Sequence, residues 1–283
     1  MSSNVLLPSR SPRAGTAGPV PKSPAELPRA HRAPALELDA GSYRLRFART
    51  GADLDAVRRL RFEVFNLELG EGLPESYLTG RDEDGYDLQC QHLLVEHRPS
   101  GTCVGTYRMQ TMEDARSGLG WYSASEFDLS GIPDQAQAEL AELGRACVQR
   151  QHRDRRVLFL LWQGLIAFAR QNRCIGLFGC SSLSGRDPAV AQRFAAQLEQ
   201  AGRLDRDWRV TPWPQFACRA APEAVARVPE VTTPRLFASY LRYGGTILGP
   251  PALDSTFGTL DFLTLVRLDA VLLRRFGTSS PQP

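Results

Sequence analysis

Residues 142–180 constrain the fold more than any other part of this 283-residue chain. They read as a short apolar strand (ELGRACV), an arginine-rich turn (QRQHRDRR), an apolar helix (VLFLLWQGLIAFARQ) and a second short strand (IGLFGC). A strand–helix–strand unit of this length is typical of a crossover between two parallel strands. The pattern therefore predicts parallel strands at 142–148 and 175–180, joined by a buried helix.

The arginine-rich turn predicts an anion site. It lies where the first strand ends and the helix begins, and a helix N-terminus offers free N–H groups and a positive dipole end. Its guanidinium groups, which suit phosphate, belong to Arg150, Arg153, Arg155 and Arg156. A solvated loop explains the same charges equally well. The turn has no glycine, which excludes a P-loop or a dinucleotide fingerprint.

Bulk composition excludes several other functions. The formal net charge is only +3, Lys22 is the sole lysine, and no basic stripe interleaved with aromatic residues is present. We therefore expect no nucleic-acid partner. The six cysteines have no metal-ligand spacing and the four histidines do not cluster, so we expect reduced, buried thiols and no metal site.

The termini and the longest apolar run bear on organisation and location. Residues 1–40 contain seven of the twenty prolines, so we predict a disordered tail there and a single mixed α/β domain at 41–283. The apolar run at 157–169 has the length of a core helix and is too short to span a membrane. With no secretory signal pattern, we expect a cytoplasmic protein, with peripheral contact at a membrane surface left open.

Candidate site residues occur in and before the central unit. Glu142 opens the first strand, where a solvated edge residue is the alternative to a catalytic one. Arg145, three positions on, is predicted to face the opposite side of the pleat and not to pair with it. Further candidates are Arg61 and Phe65, which lie four positions apart on one helix face. Asp84 and Asp87 of the 70–89 loop and Arg108 of a strand complete the set. Core packing for Phe65 and a solvated loop for the acids are the alternatives to a pocket for a charged substrate.

Two stretches resemble a known family. The motifs ELGRACV…HRDRRVLFLLWQGLIAFARQN…IGLFGCSSLSG and YLRYGGTILGPPALDSTFGTLDFLTLVRLD resemble the ornithine–acyl-carrier-protein N-acyltransferases of ornithine-lipid synthesis. Long-chain N-acyl amino acid synthases share these motifs. The segments RLRFEVF, DEDGYD and GTYRM are more loosely similar to acyl-homoserine lactone synthases.

The resemblance implies a GNAT-like α/β fold with a mixed central sheet, flanking helices and a C-terminal extension. Two parallel strands of that sheet would splay apart around a pantetheine arm. It implies Glu142 as general base for aminolysis of an acyl thioester. The residues implied to bind the amino acid are Arg61, Phe65, Asp84, Asp87, Arg108 and Arg145. The donor would contact Cys147, Val148, Arg150, Arg153, Arg155 and Arg156, with Cys147 as an inert thiol.

The expected reaction moves a 3-hydroxy or long-chain acyl group to the α-amine of ornithine, giving a lyso-ornithine lipid. Acyl carrier protein is the expected donor and partner. Acyl-CoA is the alternative donor, and no tightly bound cofactor is expected. Another amino acid as acceptor is a second alternative. A third, of another class, is a non-catalytic, haemolysin-like protein that binds acyl carriers or membranes.

Overall fold

Residues 27–277 are described by the computed structural model of this chain. Their strands are β1 (Glu37–Ala40), β2 (Tyr43–Phe47), β3 (Gln91–His97), β4 (Thr102–Thr111), β5 (Phe127–Asp128), β6 (Leu140–Val148), β7 (Gly176–Ser184), β8 (Thr211–Pro212), β9 (Thr246–Ile247), β10 (Ala252–Asp254) and β11 (Thr259–Arg267). Their α-helices are α1 (Gly51–Arg61), α2 (Ser76–Thr79), α3 (Met112–Arg116), α4 (Asp134–Ala138), α5 (Arg155–Gln171), α6 (Pro188–Gln200), α7 (Pro222–Arg227), α8 (Arg235–Arg242) and α9 (Ala270–Phe276). These elements alternate in type along the chain, as the mixed α/β prediction requires.

Nine of the strands within residues 27–277 form one mixed sheet. Its order is β1-β2-β3-β4-β6-β7-β11-β10, with β9 also paired to β11. Every pair in it is antiparallel except β6 and β7, which run parallel and are connected through α5. The predicted crossover is thus confirmed, with strands at 140–148 and 176–184 instead of the shorter predicted ranges.

The two parallel strands separate soon after they begin. Their register contains only three pairs and ends at Glu142↔Phe178, although β6 continues to Val148 and β7 to Ser184. At the point of separation, a side chain at Gly179 would lie 2.1 Å from the carbonyl oxygen of Leu143, so only glycine fits. The strands therefore open a gap immediately beyond Glu142.

The two faces of the sheet bury different kinds of residue. Helix α5 packs on one face, where Trp162, Leu165 and Phe168 join the main apolar cluster with residues of β2, β3, β4 and β6. Helix α1 covers the opposite face, over β3, β4 and β6. That face is largely polar and carries the candidate site. Among the described residues no helix could span a membrane. The apolar run at 157–169 lies within α5 and is buried against the sheet, as predicted for a core helix.

The N-terminal boundary of the fold lies earlier than predicted. Residues 37–40 form β1 and pair with β2, and the backbone N–H of Leu27 donates to the carbonyl of Arg49 at 2.8 Å. Arg29 donates to the Asp114 carboxylate at 2.7 Å. The predicted disorder is therefore wrong for residues 27–40, because backbone pairing and ion pairs hold them. Residues 1–26 of the predicted tail lie outside the described residues.

Helix α1 does not stop at Arg61 but continues as a π-helix. The π-helical segment spans Phe62–Glu68. Its wider turn accommodates one more residue than an α-helical turn. Two side chains of the segment reach the site: the ring of Phe65 faces Arg145, and the Glu68 carboxylate binds Arg153.

Candidate functional site

Glu142 lies at the point where the strands separate, with its side chain on the α1 face. It is 5% exposed. Oε2 accepts from the Gln110 side-chain amide at 2.5 Å and from the Tyr122 backbone N–H at 2.8 Å. Oε1 accepts from the Ser123 backbone N–H at 2.7 Å and from the Ser123 hydroxyl. These four donors fix the orientation of the carboxylate.

A small cavity adjoins this carboxylate. Its free volume of about 10 Å³ is roughly what one water molecule requires. It is lined by Tyr86, Cys90, Arg108, Met109, Gln110, Tyr122, Glu142, Leu143 and Gly144. Glu142 and Arg108 both line this cavity, which lies beside the gap between β6 and β7. A water molecule in the cavity could carry a proton to the Glu142 carboxylate.

Arg61 and Arg108 are held by the acidic loop in a buried ionic network. Arg61 is fully buried and donates to Asp82 at 2.6 Å and to Asp87 at 2.7 Å. Arg108 donates to Asp84 at 2.5 Å and to Asp87 at 3.0 Å. Burial opposes ionisation of Asp87, but Arg61, His92 and Arg108 outweigh it and hold the pKa of this carboxyl well below its usual range.

This network occupies Asp84 and Asp87, which the sequence offered for binding a charged substrate. Both carboxylates are already paired with arginines of the chain, so they are occupied in holding Arg61 and Arg108. Asp82, which the sequence did not single out, is a third member with 2% exposure. The structure thus shows both acids holding Arg61 and Arg108.

His92 lies under this network and gives a pH-dependent prediction. Its Nε2–H donates to the Asp87 carbonyl at 2.9 Å, and burial lowers its pKa from 6.5 to about 4. The folded state thus excludes a proton that the unfolded chain binds below pH 6.5, so stability falls as the pH falls from 6.5 to 4. We expect this group to contribute a loss of roughly 3 kcal/mol across that interval, at about 1.4 kcal/mol per pKa unit.

Urea unfolding of the wild type and of His92→Gln at several pH values measures this contribution. The variant is expected to lose less stability on acidification than the wild type. His97→Gln serves as control, since His97 is a half-buried residue at the far end of the same strand. Parallel pH dependences for His92→Gln and the wild type would contradict the assignment.

Arg145 lies on the same side of the sheet as Glu142, and the predicted opposite orientation is wrong. The reason is a β-bulge: Thr106 pairs with Cys147 and Arg108 with Gly144, so two residues of β6 oppose Tyr107. Arg145 itself has a φ of 43°. Its guanidinium therefore contacts the rings of the residues Phe65, Tyr122 and Phe257, the last at 4.3 Å.

The ionic contacts of Arg145 are weak. It lies 3.5 Å from Asp82 and 3.8 Å from Asp84, and its buried Nε–H has no hydrogen-bond partner. Among residues 27–277 no ion pair joins it to Glu142, although both side chains lie on the same side of the sheet. A buried guanidinium that is held mainly by aromatic rings has hydrogen-bonding capacity left for an anion.

The arginine-rich turn differs from the predicted anion site in two respects. The Asp154 carboxylate accepts from the backbone N–H groups of Arg156 and Val157 at 2.8 and 2.9 Å, so these helix amides are not free. Arg153 donates to both oxygens of Glu68, at 2.5 and 2.7 Å. The three remaining arginines of the turn, Arg150, Arg155 and Arg156, are exposed and form no ion pair within the described chain. Only these three are available to an anion.

Cys147 and Val148 end β6 beside the gap. Cys147 is 6% exposed and packs against Leu60 and Val64. Burial raises the pKa of its thiol well above the usual range, which disfavours the nucleophilic thiolate. Val148 is half-buried and pairs with Gly105. The thiol therefore has the environment of a packing residue, as expected of an inert cysteine.

A further group of buried acids was not found from the sequence. Glu126, Cys180 and Asp261 place their ligand atoms within 4.8 Å of one another, a spacing that could also hold a metal ion. Asp261 lies within the strand sequence LDFLTLVRL, where nothing in the local pattern distinguishes it from the other polar residues. Only the three-dimensional pairing of β7 with β11, which sets Asp261 opposite Ser182, brings this cluster together.

Comparison with known proteins identifies the family. Residues 60–163 match the acetyltransferase (GNAT) domain family. The chain is 34% identical over 248 residues to the L-ornithine N(alpha)-acyltransferase of Brucella abortus (strain 2308), covering 83% of this chain and 87% of that protein. The chain belongs to the L-ornithine N(alpha)-acyltransferase family. The family member of Rhizobium meliloti (strain 1021) is 31% identical, with 90% of each chain covered.

The solved structures that align with this chain are more distant. The acyl-homoserine lactone synthase LasI aligns with a TM-score of 0.46 and 13% identity, covering 83% of this chain and 94% of that one. FeeM, an N-acyl amino acid synthase from uncultured soil microbes, aligns with a TM-score of 0.45 and 12% identity, covering 80% and 90%. Membership of the L-ornithine N(alpha)-acyltransferase family confirms the predicted resemblance, the N-acyltransferase class and the GNAT-like α/β fold.

Proposed function

We propose that this chain transfers an acyl group from an acyl thioester to the α-amine of ornithine, giving an N-acyl-ornithine. The observation that best supports this proposal is the 34% identity, over most of both chains, to a relative named L-ornithine N(alpha)-acyltransferase. The reaction is an aminolysis, so it requires a route for the amine proton and a site for the thioester. The geometry around Glu142 supports both.

The acceptor binds, in this proposal, between Glu142 and Arg145. The α-amine lies at the cavity beside Glu142, and the α-carboxylate accepts from Arg145, whose Nε–H has no partner in the chain. Arg108, fixed by Asp84 and Asp87, forms the cationic wall of the same cavity. Phe65 borders the site through its contact with Arg145.

The donor lies in the gap between β6 and β7. Beyond Glu142 and Phe178 these strands form no pairs with each other in the described chain, so backbone groups of β6 are available to a pantetheine arm and to the thioester carbonyl. The phosphate of the arm is bound by exposed arginines of the turn. We propose acyl carrier protein as the donor, since the turn lacks the glycines of a CoA loop. A 3-hydroxyacyl chain is proposed as the group transferred, because the resemblance to enzymes of ornithine-lipid synthesis implies it.

The acceptor amine loses two protons during this reaction. The α-ammonium gives one proton through a water molecule to Glu142, and the neutral amine attacks the thioester carbonyl carbon. A C–N bond forms, and the amine loses its second proton as the tetrahedral intermediate collapses. This collapse breaks the C–S bond, and the second amine proton passes to the pantetheine thiolate, which leaves as a thiol. Glu142 then releases the first proton to solvent. No cysteine or serine of the chain forms a covalent bond.

Incubation of the purified protein with 3-hydroxyacyl carrier protein and an amino-acid panel tests the proposal. Mass spectrometry is expected to find N-acyl-ornithine as the main product, with release of the free carrier thiol in equal amount. The same incubation with acyl-CoA determines the donor. Absence of any N-acyl product with every donor and amine would support the non-catalytic alternative instead.

The arginine-rich turn gives a prediction about the donor. We expect Arg150→Ala combined with Arg155→Ala and Arg156→Ala to raise the KM for acyl carrier protein at least about tenfold, since charged rim contacts mainly affect association. Kinetics with acyl-pantetheine, which has no phosphate, are expected to stay unchanged. The control variant Arg219→Ala removes an exposed arginine distant in sequence from the turn. Equal losses with both donors would contradict a phosphate role.

A further inference from the structure

A buried pair of carboxyl groups lies beside the proposed acceptor site. Glu126 follows the 3₁₀ turn Tyr122–Ser125, and Asp261 belongs to β11. They are 3% and 4% exposed. Glu126 Oε2 and Asp261 Oδ1 are buried and have no hydrogen-bond partner in the described chain. Buried polar atoms without a partner are uncommon and costly, so these two require an explanation.

No ion pair within the described chain compensates these two acids, and the charge of Arg145 only partly offsets the burial of Glu126. Within residues 27–277, none of the ion pairs involves Glu126, Asp261 or the neighbouring buried Asp254. Burial, followed by the proximity of other carboxyl groups, raises the pKa of both Glu126 and Asp261. The acids at 82, 84 and 87, by contrast, all contact arginines. The raised pKa values favour one proton shared between the two carboxyl groups, which lie within hydrogen-bonding reach of each other, and the one negative charge that remains is what a cation would stabilise.

The pair is joined to the Glu142 site by a single residue. Ser123 donates to Glu142 through both its backbone N–H and its hydroxyl, and the hydroxyl also lies within hydrogen-bonding reach of the Cys180 thiol. Cys180 belongs to the same cluster as Glu126 and Asp261. On the chain, Cys180 is two residues beyond Phe178, which pairs with Glu142. The two sites are thus neighbours on either side of Ser123.

We propose that Glu126 and Asp261 bind the side-chain ammonium of the acceptor and thereby select a diamino acid over an amino acid with a neutral side chain. The inference rests on the proposed function and adds the source of its acceptor specificity. In an extended ornithine the two nitrogens are separated by five bonds, or about 6 Å. A molecule of this length can place its α-amine at Glu142 and its δ-ammonium beyond Ser123.

The proposal assigns a cost in stability to the free enzyme. Two neighbouring buried carboxyl groups destabilise a fold unless a ligand pairs with them, and such strain is characteristic of binding sites. Neutralising the pair should therefore leave the melting temperature equal to or above that of the wild type. A pair with a purely structural role would give the opposite sign, because its loss would weaken the fold.

The test compares ornithine with norvaline, which has the same carbon chain without the δ-amine. The wild type is expected to favour ornithine by about 100-fold in kcat/KM, because norvaline leaves the buried carboxyl groups unpaired. In the double variant Glu126→Gln with Asp261→Asn, this preference is expected to fall to within a few-fold of one. The kcat/KM for ornithine is expected to fall, whereas that for norvaline is expected to stay at or above its wild-type value.

Control variants and binding measurements separate the possible outcomes. The single variants Glu126→Gln and Asp261→Asn are each expected to lower ornithine affinity in calorimetric titration and to keep the melting temperature. Asp128→Asn, which changes an acid two residues from Glu126, is expected to keep the wild-type preference. Equal losses for both acceptors, or no preference in the wild type, would overturn the proposal while N-acylation itself stands.

Two further results would also overturn it. A divalent metal that copurifies with the wild type and is absent from the double variant would assign the cluster to a metal ion. Failure of the wild type to acylate any amine would instead remove the proposed function on which the inference rests. Elemental analysis and the product assay distinguish these two results.

Discussion

The Glu142→Gln variant is expected to lose about a thousandfold in kcat, the middle of the range for removal of a general base. Glutamine keeps the length of the side chain but cannot take the proton of the acceptor amine. Its amide N–H group also faces the N–H donors of Gln110, Tyr122 and Ser123, which bind the carboxylate in the wild type. Steady-state kinetics with acyl carrier protein and ornithine measure the loss.

The pH profile of activity distinguishes two roles for Glu142: a general base, or a group that only positions the Tyr122–Ser123 backbone. Without the base, activity should rise about tenfold per pH unit until the acceptor amine is deprotonated in solution, and the wild type should rise less steeply. Glu139→Gln is the matched control, since Glu139 is an exposed acid three residues earlier. A variant that keeps more than a tenth of kcat, or has the wild-type pH profile, would assign Glu142 a positioning role.

The second large effect is expected on stability, at Arg61. Arg61→Ala would leave Asp82 and Asp87 as buried carboxylates without this partner. Removing one member of a buried ion pair costs about 3–5 kcal/mol, a large part of the stability of an ordinary domain. We expect a loss of this size in the free energy of unfolding, measured with urea at neutral pH.

Arg59→Ala is the matched control for this experiment. Arg59 lies two residues earlier on α1 and pairs with Asp55 at 2.7 Å on the exposed surface. A surface pair of this kind contributes no more than about 1 kcal/mol. Arg61→Lys keeps the charge but not the planar guanidinium that reaches both aspartates. Its loss in the free energy of unfolding should therefore lie between those of Arg61→Ala and Arg59→Ala. Equal losses for Arg61→Ala and Arg59→Ala would contradict the role of the network.

The central unit could be predicted from sequence because its signals are local. Strand, turn and helix follow one another in residues 142–180, and a helical connection of this length is typical of a crossover between parallel strands. Strand ends were predicted less well, since β7 runs on to Ser184 only because β11 pairs with its whole length. Residues 27–40 were misassigned for a similar reason: β1 is stabilised by β2, not by its own composition.

The site was only partly predictable, since its geometry depends on pairing between distant segments. The acidic residues at 84 and 87 could be found from their density, but their partners could not. The bulge opposite Tyr107 turns Arg145 to the Glu142 side, and no spacing rule along β6 reveals it. The Glu126–Asp261 pair joins residues 135 positions apart, which a local pattern cannot relate.

The π-helical segment Phe62–Glu68 affects how insertions and deletions should be interpreted among relatives. A chain one residue shorter there can close the wide turn into an ordinary α-helix, and α1 keeps its packing. Because the wide turn absorbs the extra residue, residues outside the segment keep their direction and only those within it are reoriented. A single-residue gap at this position therefore marks a change at Arg145 and Arg153, which contact Phe65 and Glu68. It would shift substrate contacts while the core stays intact.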